Sequence, residues 1–534
     1  MGKMPRCPSV MWGVLCIAVL SMCRSPQRPS EPWPLAQAER PSCQTFWRTL
    51  PVADRSYLFE RDGERTVLGN QGYRRYLDRT ARAACQKEWT VLVYMAADAK
   101  ELQRPAIQLL RDLEQRGRLS ADADVDLIAQ LDVLSRPGIR RLHVLGVGPD
   151  AANQEPGEAD DPASLQSPIA WYEPDEAAPP HDSLRSFLTW GIEHYPARRY
   201  MVMLWGHGLG WRPQQPAGSR PSLDPTHPRG GIALDESQQT VLDIPGLQQV
   251  LRSVSVDKLR GRPFDVLAAD ASLMQTVEIT TELADTARYF FGSEALVDPG
   301  SLPYRAIVEE LGNMRGSDER IERSSRCGRD DTTCAFALRL PLLSLNHAAS
   351  QPGTPRGPHL VLSVVELPLV ASTLVPALHS LGQSLEVYLR EDPTRAGAIV
   401  ELLTGRSGRR LGHGKAIPDF PGGTRDLGVW LLSLRSVLRQ ESERNEGQSY
   451  RSVLAAIDQT ETAVMRSVLS LAAGSRYDEE RYRGLAGLAT WLPSSADDWT
   501  SQRAFFSSAR FFRPSSPPST SSWEGWLAAL FAAP

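Results

Sequence analysis

Charge of one sign is what this chain lacks first: 59 Lys and Arg stand against 63 Asp and Glu, a formal net charge of −4 over 534 residues. A surface without a dominant sign sets up no long-range field to draw in nucleic acid or an anionic membrane, so no nucleic-acid partner is expected. Common catalytic signatures are absent as well. There is no G-x-S-x-G elbow, no H-E-x-x-H pair and no P-loop, which removes the most frequent serine hydrolase, metalloprotease and nucleotide-binding readings. The cysteines have no zinc-site spacing, and neither a cofactor nor a metal is expected. No internal repeat is visible. A chain of this length then reads as one large unit with a substantial second region packed on it.

What is present begins at the N-terminus, where Lys3 and Arg6 precede an apolar run, Val10 to Leu20, that is too short to span a bilayer comfortably. This pattern predicts a signal peptide over 1–23 and hence export. It ends in Leu20-Ser21-Met22-Cys23, which resembles a bacterial lipobox with Cys23 as the lipidated first residue of the mature chain, Met22 departing from the small residue usual there. Arg24 differs from the aspartate that retains lipoproteins at the inner membrane. The expected address is therefore the bacterial cell envelope as an outer-membrane lipoprotein held to the membrane by its lipid, with a periplasmic or secreted protein as the other outcome.

Cysteine usage fits export. Cys7 and Cys16 leave with the signal, and the remaining Cys43, Cys85, Cys327 and Cys334 are an even number suited to disulfides in an oxidising compartment. Sequence proximity pairs Cys43 with Cys85 and Cys327 with Cys334; four unpaired buried thiols are the alternative.

Residues 24–86 read as a Pro-, Ser- and Arg-rich tether followed by a polar, disulfide-stapled extension. At Trp89 to Met95 the character changes to an unbroken apolar, β-rich run, and Val125 to Leu131, Tyr200 to Trp205 and Phe264 to Ala269 repeat it. Such runs suit strands buried on both faces. Helical spacing over Leu102 to Leu119, Ser183 to Tyr195 and Ile244 to Val254 supplies the alternation of a mainly parallel α/β sheet over 87–310. Arg140 to Leu145 extends it as a hairpin partner. Gly148 to Pro180 and Arg212 to Arg229 are expected as long linkers near the functional face, and 311–534 as an additional C-terminal α/β region.

Reactive groups follow two of these strands. The third runs into Leu204-Trp205-Gly206-His207-Gly208, and the fourth into Asp270-Ala271-Ser272-Leu273-Met274, with a helix expected from Gln275. Flanking glycines let the backbone bend sharply and bring a ligand close to the imidazole. A side chain at a strand-to-helix turn is exposed where parallel-sheet sites form.

These segments together resemble the clostripain family of cysteine peptidases, which shares its fold with caspases. Trp89 to Asp98 resembles the family's opening strand, Tyr195-Pro196-Ala197 leading to His207-Gly208 its histidine motif, and Gly231 to Asp235 the hairpin that follows. Phe264 to Met274 with Glu278 resembles the nucleophile motif, Ser293-Glu294 with Pro299-Gly300 the next strand and loop, and Gly487-Leu488 and Leu492-Pro493 are weaker echoes. The resemblance implies a caspase-like fold and an Arg-directed endopeptidase, its ligand a peptide or protein with Arg or Lys. His207 then falls at the acid/base position, and Asp270, Glu294 and Asp298 at substrate-binding carboxylates.

One residue departs from the pattern: Ser272 stands where the nucleophilic cysteine belongs. A thiol reaches the thiolate readily, whereas a hydroxyl needs a well-aligned base, and no motif supplies a third partner for His207. The expectation is a catalytically impaired or inactive homologue at the envelope that still binds basic peptides. An active peptidase using Ser272 with His207 and a ligand-free envelope scaffold are the alternatives. More modest roles stand beside these: Ser272 as a helix cap or turn residue, His207 as an inherited hydrogen-bonding group, Asp270 as a carboxylate bound to backbone N–H groups of the turn, and His413 as a loop residue.

Overall fold

The computed structural model describes residues 86–116, 124–135, 138–146, 161–167, 169–173, 178–211, 230–235, 240–298, 300–314, 326–328, 331–350, 359–404, 420–421, 423–441, 447–513 and 522–532, with the backbone of two short strands at 61–62 and 65–66. The signal-like segment with Cys23, the Cys43–Cys85 pairing and His413 lie outside the described residues.

Unbroken apolar strands require cover on both faces, and the chain alternates strand with helix to provide it. In order come β1 (Lys87–Ala97), α1 (Lys100–Arg116), β2 (Val125–Val133), β3 (Ile139–His143), β4 (Ile169–Glu173), α2 (Pro180–His194) and β5 (Ala197–Trp205). A short three-stranded sheet of β6 (Gly208–Gly210), β7 (Gly231–Asp235) and β8 (Thr240–Leu242) follows, then α3 (Ile244–Leu259), β9 (Phe264–Asp270), α4 (Val277–Glu282), β10 (Ala287–Ser293) and α5 (Tyr304–Asn313). The remainder adds α6 (Thr332–Ser350), β11 (Val361–Glu366), α7 (Val375–Glu391), α8 (Ala396–Thr404), β12 (Thr424–Asp426), α9 (Leu427–Glu441), α10 (Gln448–Ser467), β13 (Val468–Ala473), β14 (Ala489–Trp491), α11 (Ala496–Phe506) and α12 (Ser522–Ala532).

Nine strands form one sheet in the order β13-β11-β10-β9-β5-β1-β2-β3-β4. The five from β10 to β2 are parallel, and antiparallel pairs close both edges. Alternate side chains of β1 enter opposite layers: Val91, Val93 and Met95 pack with Leu102, Ile107 and Leu110 of α1, while Leu92, Tyr94 and Ala96 pack with Leu184 and Phe187 of α2 and Leu247 and Leu251 of α3. That is the α/β class with a mainly parallel, helix-flanked sheet that the sequence predicts.

The structure corrects one expectation and adds two details. The linker between 148 and 180 contains edge strand β4, whose Trp171 ring carries the Arg141 guanidinium 3.9 Å from its centroid; five residues of which only Ile169 is buried, set between acidic, Pro-rich flanks, give little apolar signal. The C-terminal region is largely helical. Of its four strands among the described residues, β11 and β13 complete the main sheet and β12 and β14 pair as a short ribbon. Residues 304–313 and 332–350, left without assigned elements by the sequence reading, are helices whose Ile307, Leu311, Phe336 and Leu340 cover the same sheet face as α1. Cys327 and Cys334 are bonded at the head of α6, their Cα atoms 5.6 Å apart. No helix among the described residues is long and apolar enough to cross a membrane.

Candidate active site

From β1 the chain departs towards β2 on one side, and it later returns to place β5 on the other. The carboxyl ends of β1 and β5 therefore diverge into a crevice of the kind where parallel sheets bind ligands. Register sets Met95, Trp205 and Asp270 level with one another across β1, β5 and β9. Helix α1 and the loops leaving that edge carry Glu101, His207, Ser272 and Glu294.

His207 occupies a turn that its glycines permit. Gly206 has φ +149°, and its Cα lies so near β1 that an added Cβ would sit 3.2 Å from the Ala96 carbonyl oxygen. At Gly208 a Cβ would fall 2.1 Å from the Ser272 carbonyl oxygen and 2.8 Å from its nitrogen. Glycine there is the condition for laying the histidine turn directly on the Ser272 peptide, so the fold does bring these two motifs together. The His207 carbonyl is held by the Ala233 N–H at 3.0 Å. Its Nε2 lies 2.9 Å from Oε1 of Glu101, a residue of the first turn of α1. The Glu101 carboxylate is held below its usual range, first by its own backbone N–H and then by His207. Sequence reasoning missed this partner, because an acid in a first helical turn is ordinary dipole decoration.

Ser272 follows β9 in a tight turn. Leu273 takes φ +63°, a left-handed conformation rare for a leucine, and is kept there by hydrogen bonds from its N–H to Ala295 and from the Gln275 N–H to Ser293, 3.1 and 3.0 Å. The Ser272 hydroxyl meets one residue from both sides: it accepts the Val297 N–H at 3.0 Å and donates to the Val297 carbonyl at 3.3 Å. The helix begins at Val277, and its cap is Thr276, whose Oγ1 accepts from the Ile279 N–H at 3.4 Å. The capping role considered for Ser272 and the start at Gln275 are thus corrected: the turn consumes four more residues before helical geometry sets in.

The three carboxylates occupy different surroundings. Asp270 is fully buried and accepts the Tyr304 hydroxyl at 3.0 Å; burial pushes its pKa up to about 7, against the pull of Tyr304 and the N–H groups of Gly300 and Leu302. Backbone N–H groups do serve Asp270, and they come from the loop after β10, not from its own turn. Glu294 is buried too, and burial, with Asp426 beside it, raises its pKa well above the carboxylate range. Asp426 spends its own oxygens on the N–H groups of Val429, Ala486 and Gly487 at 2.9, 2.9 and 2.8 Å. Asp298 is exposed, and its carbonyl accepts both the N–H and the hydroxyl of Ser301. Two of the three carboxylates therefore face the interior and one the surface.

The C-terminal region braces this site from below. The Ala489 N–H reaches the Gln275 carbonyl at 3.1 Å. Glu278, fully buried, accepts the Thr490 hydroxyl and the Trp491 N–H at 2.9 and 3.0 Å. Chemically the edge offers an imidazole with an acid partner, a serine peptide beneath it and a buried carboxyl whose pKa is pushed up to about 7.

Residues 169–324 match the model of the clostripain family. Among solved structures, the chain is similar to a secreted C11 cysteine protease from Bacteroides thetaiotaomicron in complex with an irreversible peptide inhibitor, with 17% identity and a TM-score of 0.49, covering 80% of this chain and 98% of that one. It is also similar to an inactive zymogen C11 protease from Parabacteroides distasonis, with 15% identity and a TM-score of 0.49, covering 80% of this chain and 97% of that one. No curated protein matches the chain.

Proposed function

Because the clostripain-family segment, residues 169–324, holds both His207 and Ser272, we propose that this protein is an exported peptidase homologue whose nucleophile position is disarmed and whose cleft still takes basic peptides. The observation that carries the reading is the double hydrogen bond of the Ser272 hydroxyl to Val297. A serine attacks a carbonyl only when a base draws off its proton, and here that proton points at the Val297 carbonyl. The group acts as a staple for the loop after β10. Asp270 supports the ligand class as the carboxylate that the family resemblance offers to a basic side chain, which would meet it where it is now buried and bonded to Tyr304. Export and anchoring at the cell envelope rest on the signal-like run before Cys23.

A second reading, a working serine peptidase, is favoured by one observation: His207 does have an acid partner, Glu101, as a serine-activating imidazole requires. Hydrolysis of a fluorogenic Arg-peptide by wild type, Ser272→Ala and Ser272→Cys separates the two. The expected result is background for the first two and activity for the third. Wild-type hydrolysis that disappears in Ser272→Ala would reverse the choice. Titration of an Arg-containing peptide into wild type and Asp270→Ala then tests the cleft; absence of binding to both leaves a scaffold.

A further inference from the structure

We infer that Glu101 is the positioning residue of the His207 imidazole, holding the Nε2 proton and so leaving Nδ1 as the ring nitrogen that can take one. The inference rests on reading this crevice as a peptidase-type cleft, in its disarmed or its working form.

A neutral imidazole carries one donor and one acceptor, and an ionised carboxylate accepts only. At 2.9 Å from Glu101 Oε1, the Nε2 atom must therefore be the one bearing hydrogen. Glu101 is kept ionised by its place in the first turn of α1, where its own backbone N–H is the largest stabilising influence on the carboxylate. The histidine turn is pressed onto β1 at Ala96 and onto the Ser272 peptide at Gly208, so α1, which leaves β1 three residues after Ala97, stands over it by construction of the sheet. The pair is half in solvent, with 58% of the Glu101 side chain and 34% of the His207 side chain exposed, and it adds little to stability. Its effect is on orientation and tautomer. When Nδ1 takes a proton from a nucleophile, the imidazolium has an N–H on both nitrogens, and the new positive charge lies against the carboxylate until Nδ1 passes the proton to the leaving amine.

Nitrogen-15 shifts of His207 in the wild-type protein at pH 8 test this without any turnover. The Nε2–H tautomer is expected; Glu101→Gln, which keeps an accepting oxygen, retains it, and Glu101→Ala shifts the population towards Nδ1–H. A wild-type Nδ1–H form, or a population unmoved in Glu101→Ala, overturns the inference. In Ser272→Cys, adding Glu101→Ala should lower kcat about ten- to hundredfold with KM unchanged, and Glu101→Gln should cost less. An unchanged kcat, or a change in KM alone, also overturns it. If Ser272→Cys has no activity, the disarmed-cleft reading fails, and the tautomer measurement alone decides for or against Glu101.

Discussion

At Asp270 a single carboxyl couples the site to pH. Its pKa is 3.8 in a free chain and about 7 in the fold, where burial is the main cause. Below pH 4 both states hold the proton; between 4 and 7 the unfolded chain gives it up and the folded one does not. This group's contribution is therefore fully present in acid and is lost as pH rises through 7, by on the order of 4 kcal/mol. Asp270→Asn removes the loss. In denaturant titrations at pH 5 and pH 8, the stability of Asp270→Asn relative to wild type should improve towards pH 8; a difference that stays flat would mean the carboxyl is ionised in the fold. Gly208 is the other residue with an outsized part, since no side chain fits between His207 and the Ser272 peptide. Its role was half legible: the sequence shows an imidazole between glycines, but not which backbone the second glycine makes room for.

Among elements, α4 and β14 form the joint between the sheet and the C-terminal region. Glu278 supplies the link, and without its oxygen the Thr490 hydroxyl and Trp491 N–H would be buried unpaired. Glu278→Ala should cost on the order of 2–4 kcal/mol and accelerate amide exchange at 489–491 before it does so in β1. Exchange that rises equally everywhere would show the joint to be part of one global unit. The long central strands were legible because apolar runs covered on both faces leave a strong local mark. Strand β4 and helices α5 and α6 were not: β4 is an edge between acidic flanks, and α6 carries Pro341 within it, so their place is set by the sheet faces they cover.

Across the whole molecule, the end of the sheet opposite the crevice carries a buried charge cluster. Lys87 of β1 and His143 of β3 both contact Asp126 Oδ1 of β2, at 2.7 and 2.9 Å. Burial holds the His143 pKa below its ordinary value, so the imidazole is neutral there and Asp126 chiefly balances Lys87. Asp126→Asn strips the cation of that counter-charge and should cost on the order of 3–5 kcal/mol, much of it recovered by adding Lys87→Met. Equal losses in the single and double variants would show that the ion pair is not the source. The sequence by itself determined the α/β class, the four strands it named at the centre and the placing of His207 and Ser272 just past strand ends, while the Cys327–Cys334 pairing it suggested was decided by the structure. Each of the former is recorded in a local pattern of apolar runs, glycines or spacing. Only the tertiary structure decided the partners: Val297 for Ser272, Tyr304 for Asp270, Glu101 for His207 and Thr490 for Glu278, at separations of 25, 34, 106 and 212 residues. A hydrogen bond closed over such distances leaves no periodic trace in the chain, because it depends on which strands lie side by side and where their loops meet.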